Sequence, residues 1–223
     1  MHQYSHSFKS IILLFVSAIV LLSSCKKDVI KYDLGGKVYD PQLKTAVGDV
    51  RISLKADKVE SGVYNPTYVE ISSTMTSNDG NYEFTVEQEN VSGYRLDFTK
   101  KNYFDNSVDV KPSDLQVNVP FTVNIDFIPI ANVKLNVKNT SPQGADDEIR
   151  FHFTNIDVKC KDCWNNDVIV GTGPSFSFSD TKQLSGAKKI IISWVVTKKG
   201  NQHIYQDTIE SKAFDTVTFN INY

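Results

Sequence analysis

The sequence predicts an all-β protein, two tandem β-sandwich domains behind a removable N-terminal segment. Three observations predict it. Apolar and polar residues alternate with a period of two in run after run. Turn residues rich in Gly, Asn and Asp separate those runs. After Leu22 no stretch carries apolar residues at helical spacing, while Val, Ile, Thr, Tyr and Phe, which suit a pleated half-buried surface, are abundant.

The N-terminal segment comes first. Lys9, with His2 and His6, makes a short, weakly positive start, and Ile11 to Leu22 is an unbroken apolar run. It falls short of the roughly 20 residues of a comfortable membrane-spanning helix and has the length of a signal-peptide core. Leu22-Ser23-Ser24-Cys25 resembles a bacterial lipobox: an aliphatic residue, two small ones that let the chain lie extended in a peptidase, and a thiol that accepts diacylglycerol. An ordinary secretory signal with a chance cysteine and an uncleaved anchor are the alternatives. Charge, run length, small residues and cysteine agree in order, so the expectation is a signal peptide over 1–24, lipidation at Cys25 and a tether over 25–33. The start Cys25-Lys26-Lys27-Asp28 resembles lipoproteins of the Bacteroidetes, which implies the outer membrane. One acid between lysines and tether leaves the periplasmic or surface face open.

The chain has 223 residues, with 24 Lys and Arg against 26 Asp and Glu, a net charge of −2. Loss of the signal segment removes one lysine, Lys9, and no acid. Neither a basic patch nor a basic helix appears, so no nucleic-acid partner is expected. Membrane attachment is expected from acyl chains alone.

The strands follow in order. Val50 to Ala56, Tyr82 to Glu87, Tyr94 to Thr99, Val123 to Phe127, Val133 to Val137, Ile149 to Phe153 and Val217 to Ile221 all alternate. Asn78-Asp79-Gly80-Asn81 reads as a hairpin turn, and Gly171-Thr172-Gly173-Pro174 and Lys199-Gly200-Asn201 play the same part. The count gives about seven strands per unit: one over 34–129 and one over 131–223. Pro129 would interrupt a central ladder and so suits the junction. A single larger sandwich is the alternative.

The first unit resembles the carboxypeptidase regulatory-like domain, a prealbumin-like (transthyretin-like) β-sandwich. The resemblance rests on Gly36-Lys37-Val38-Tyr39-Asp40, on Ala46 to Val50 running into Ile52 and Leu54, on Thr74 to Phe84 with its Asp-Gly turn, and on Gly93-Tyr94-Arg95-Leu96 with Tyr103. It covers about half of the chain beyond Cys25. The family's usual Pro-Leu-x-Gly-Ala turn is missing near Lys44 to Gly48, the stretch Glu60 to Thr67 is longer, and Asn102 stands where a glycine often precedes the tyrosine. The resemblance implies a non-catalytic accessory module, frequent in surface and nutrient-uptake systems. The second unit is expected to be immunoglobulin-like or related.

Few residues suggest chemistry. Cys160-Lys161-Asp162-Cys163 has competing readings: a structural disulfide, left over once Cys25 is lipidated in an oxidising compartment; unpaired thiols; two ligands of a metal site; or a redox pair, which would need a helix N-terminus. Asp146-Asp147-Glu148 reads as a solvated loop or a calcium loop. His152 and His203 are expected at the surface. Tyr64 and Tyr68, flanking Asn65-Pro66 in a long loop, and Trp164 are candidate ligand-binding aromatics, with burial in the core as the alternative. Asp207-Thr208-Ile209 and Asp215-Thr216-Val217 resemble O-glycosylation acceptors. No catalytic residue, metal or cofactor is expected. The expected role is that of a non-catalytic, lipid-anchored accessory or ligand-binding protein of a nutrient-uptake or surface system, its partner a glycan or protein at the cell surface. The other reading is a structural or adhesive surface protein of fimbria-associated type.

Overall fold

The computed structural model describes residues 29–60, 63–157 and 160–223, with 58–60 and 63–66 as backbone alone. The expectations for 1–24, Cys25 and Lys26 to Asp28 lie outside the described residues. So does the side chain of Tyr64.

The first half folds as β1 (Lys31–Asp40), β2 (Thr45–Ala46), β3 (Arg51–Glu60), β4 (Val63–Met75), β5 (Asn81–Glu87), β6 (Val91–Thr99), β7 (Asn106–Val110), a 3₁₀ turn (Pro112–Asp114), β8 (Phe121–Thr122) and β9 (Ile125–Asp126). One sheet has β1 at its centre, antiparallel to β2 and β5 and parallel to β8 and β9. The other runs β4-β3-β6-β7. Alternation does what the sequence predicts: Ile52, Leu54 and Ala56 on β3, Tyr82, Phe84 and Val86 on β5, and Tyr94, Leu96 and Phe98 on β6 all turn inward into one core.

The second half folds as β10 (Ile130–Lys138), β11 (Glu148–Thr154), β12 (Ile169–Thr172), β13 (Ser177–Ser185), β14 (Lys189–Lys198), β15 (Asn201–Glu210) and β16 (Thr216–Asn222). They form a β13-β10-β16 sheet and a β12-β11-β14-β15 sheet. Val133, Leu135 and Val137 of β10 meet Ile149, Phe151 and Phe153 of β11 and Ile190 and Ile192 of β14 in a second core. The chain is thus all-β with two β-sandwich-like domains. Among the described residues no helix is long and apolar enough to cross a membrane.

Three details depart from the sequence reading. The turn at Asp79-Gly80 is not a hairpin within one sheet. Gly80 has φ of 75° and its N–H closes the turn on Ser77 O at 2.8 Å, but β4 pairs with β3 and β5 with β1, so the turn hands the chain from one sheet to the other. Gly171 to Pro174 does likewise between β12 and β13. Only Lys199-Gly200 of the three makes a true hairpin: both residues have positive φ, 48° and 76°, between Lys198 and Asn201, which pair, as a type I′ turn requires. Second, Tyr64 and Tyr68 lie in β4 rather than in a loop. Pro66 is tolerated there because β4 is the edge of its sheet.

Third, Val123 to Phe127 is not one continuous strand. Ile125 and Phe127 do turn inward, but the Val123 carbonyl leaves the ladder to accept the Tyr82 hydroxyl at 2.7 Å. Asn124 Oδ1 accepts the Lys37 N–H at 3.0 Å in its place. That carbonyl lies where a Cβ on Gly36 would sit, 1.9 Å away. The glycine of the Gly36-x-Val38-x-Asp40 motif therefore makes room for the returning chain.

Candidate functional site

The two sandwiches meet through a short, heavily bonded junction. Asn102 adopts φ of 69°, a conformation asparagine tolerates better than most non-glycine residues, which accounts for a glycine-like position held by Asn. Its carbonyl accepts the Ile130 N–H at 2.8 Å, and Phe104 N–H donates to Ile128 O at 3.0 Å. From the other side Gly186 N–H donates to Pro129 O and Phe214 N–H to Ile130 O, each at 2.7 Å. Tyr103 stacks on Phe127 with centroids 5.0 Å apart and meets Phe214 of the second half at 5.3 Å. Burial, and then the neighbouring Asp40 carboxylate, push the Tyr103 hydroxyl up to about 12.

Beside this junction opens a cleft of about 480 Å³ whose lining includes Tyr103, Asp105, Asp126, Ile128, Ile130, Cys160 and Gln183. Cys160 belongs to the cysteine turn. Cys160 and Cys163 are joined by a disulfide, Cα to Cα 5.1 Å. Cys163 N–H donates to Cys160 O at 3.3 Å, while Gln183 N–H donates to Asp162 O and Trp164 N–H to Gln183 O, clamping the turn along β13. The bonded sulfurs offer no thiolate to a metal, and the pair sits in a turn rather than at the helix N-terminus a redox pair would need. Among the described residues no group of three or more His, Cys, Asp or Glu is placed to hold a metal.

One of the aromatic candidates is corrected. Trp164 is 2% exposed, a core residue rather than a surface anchor. Its ring lies 4.9 Å from that of Phe153, and Nε1–H donates to Val133 O at 3.0 Å. Tyr68 is half-buried and capped by the Arg95 guanidinium, 4.3 Å above its ring. Arg95 is itself held by Asp109 at 2.6 Å, a pairing that lowers the pKa of that carboxyl. His203 is exposed and His152 half-buried; Thr208 and Thr216 of the two Asp-Thr motifs are exposed.

The acidic run divides as well. Glu148 pairs with Arg150. Asp147 is fully buried, where the Gln143 N–H, foremost, keeps its carboxyl below the ordinary range. Its partners Asn139 and Lys198 carried no sequence signal, because they lie far apart along the chain.

No family model matches the chain, and no curated protein matches it. Solved structures that resemble it include the Bacillus anthracis TIE protein, 10% identical over 86% of this chain and 34% of that one, TM-score 0.37. This chain therefore spans about a third of the TIE protein structure. The shaft pilin SpaA from Lactobacillus rhamnosus GG is 9% identical over 87% of this chain and 97% of that one, TM-score 0.32. GBS52, the minor pilin of Streptococcus agalactiae, is 14% identical over 86% and 94%, TM-score 0.35. Likeness at this level carries no argument about function.

Proposed function

We propose that the chain is a non-catalytic structural or adhesive component of the bacterial cell surface, held to the outer membrane by lipid on Cys25. One observation supports this above others. In both sandwiches the first strand runs parallel beside the last. Leu34 and Val38 of β1 face Phe121 and Ile125, and β10 faces β16 from Asn132↔Thr216 to Lys138↔Asn222. Tension between the start of one such strand and the end of the other slides the pair lengthwise and strains the ladder bonds together. An antiparallel pair would instead peel bond by bond. A protein tethered at its N-terminus and gripped farther along gains from that arrangement, and the bonded junction passes the load between the halves.

A strain carrying Cys25→Ala tests the reading. The protein is expected to leave the membrane fraction, and cells are expected to lose attachment under flow while growth on limiting nutrients is unchanged. Retained attachment with impaired growth would overturn it and favour a second reading, suggested by the interdomain cleft: a ligand-binding accessory of an uptake system, with a glycan or peptide as the bound partner.

A further inference from the structure

At the end of β10 opposite the junction lies a polar cluster that neither reading uses. Asn139 is 6% exposed and Asp147 0%. Lys198 ends β14 and directs Nζ at Asn139 Oδ1, 3.0 Å away. The ammonium also donates to Ser141 O at 2.7 Å and Ser141 Oγ at 3.2 Å, and lies 5.0 Å from the centroid of the Tyr223 ring. Asn139 Nδ2 donates to Asp147 Oδ2 at 2.8 Å and, at 3.4 Å, to Gly173 O. Asp147 Oδ2 also accepts the Gln143 N–H at 2.9 Å. Its Oδ1 is buried with no hydrogen bond of ordinary length, a costly state for a carboxylate that has only a structural part.

The order of the groups is what matters. A simple ion pair would seat the lysine on the aspartate. Here a primary amide stands between them, an amine on its oxygen and a carboxylate on its nitrogen. We propose that Lys198 and Asn139 become joined by an isopeptide bond, with Asp147 as the proton carrier.

The step balances without an added reagent. Lys198 gives one proton to solvent, and the free amine forms a bond to Asn139 Cγ. Its nitrogen then sits one bond angle from Nδ2, within reach of the same carboxylate. Asp147 takes the second proton from that nitrogen and delivers it to the departing amide nitrogen, on which Oδ2 already rests. The Cγ–Nδ2 bond breaks. The products are a secondary amide and ammonia, which takes up the proton first released. Three groups fixed at hydrogen-bond distance, the amide and the carboxylate buried and the lysine half-buried, replace a bimolecular encounter with an intramolecular one, and the buried carboxylate supplies the base and acid.

Peptide mapping of the full-length protein by mass spectrometry tests this. The expected product is a branched peptide joining the Asn139 and Lys198 segments, lighter than their sum by one ammonia. Lys198→Arg keeps charge and hydrogen bonding and is expected to abolish the branch. Asp147→Ala, with an unchanged circular dichroism spectrum, is expected to abolish it too. Wild-type digests containing only separate Asn139 and Lys198 peptides would overturn the bond. A branch formed to the wild-type extent in Asp147→Ala would overturn the role of the carboxylate.

Discussion

Trp164 offers the sharpest test of the second sandwich. A tryptophan buries about 200 Å², which at about 25 cal/mol per Å² gives about 5 kcal/mol. Large-to-small substitutions of buried tryptophan cost about 3–5 kcal/mol in practice. Against a domain stability of about 5–15 kcal/mol, Trp164→Ala is therefore expected to leave the second sandwich close to unfolding. Trp164→Phe is more informative. It keeps a ring against Phe153 and Phe178 but removes the donor to Val133 O and part of the apolar area, for a loss of about 2 kcal/mol. The chain has two tryptophans, so Trp194→Phe leaves Trp164 as the single indole reporter. Its emission is expected to be blue-shifted and protected from iodide until denaturant opens the second half. An accessible Trp164 in folded protein, or a Trp164→Phe variant within about 0.5 kcal/mol of the parent as surface changes are, would refute the core assignment.

Three further outcomes follow from the same geometry. Replacing Cys160 and Cys163 together by serine opens a very small loop, and the chain-entropy relation gives a loss of about 2 kcal/mol; a lower melting temperature with an unchanged strand spectrum is expected, and an unfolded product would contradict it. Gly36→Ala places a methyl on the Val123 carbonyl and is expected to destabilise the first sandwich by about 2–4 kcal/mol in denaturant titrations, so a neutral result would show that the returning segment does not sit there. Alkaline pH is expected to weaken the fold. Burial drives the Tyr82 hydroxyl far above its ordinary pKa and that of Tyr103 to about 12. Below about pH 10 both states keep these protons and nothing changes; above it the unfolded chain ionises first and stability falls. Denaturant midpoints that stay constant from about pH 9 to 11.5 would contradict this.

Strands with one buried face were legible because burial itself imprints the period: β5 reads exposed and buried in strict turn. β4 and β15 were not legible by alternation, and only the turn at Lys199-Gly200-Asn201 announced β15. Both are edge strands, and β15 is exposed along nearly its whole length, with Ile204 81% exposed, so no alternation marks it. The Asp-Gly turn misled because positive φ at Gly80 serves a hairpin and a sheet-to-sheet crossing equally well. What decides between them is that Val38 N–H donates to the Gly80 carbonyl, extending the β1–β5 ladder into the turn and committing the chain to the sheet of β1. The disulfide was readable from two cysteines at turn spacing. The fate of Trp164 depended on β10 arriving to take its N–H. Asn139, Asp147 and Lys198 are invisible as a group until the loop after β10 and the end of β14 meet at one pole.

The parallel pairing of first and last strands also governs how the chain can fold. β1 waits for Phe121 to Asp126, and β10 waits for Thr216 to Asn222. Neither sandwich can close until its final segment has been synthesised, so each half stays open-ended until then. Such high contact order places refolding in the millisecond-to-second range. It also leaves the newly made halves dependent on protection of their unpaired edges, most of all β15, until the last strand docks.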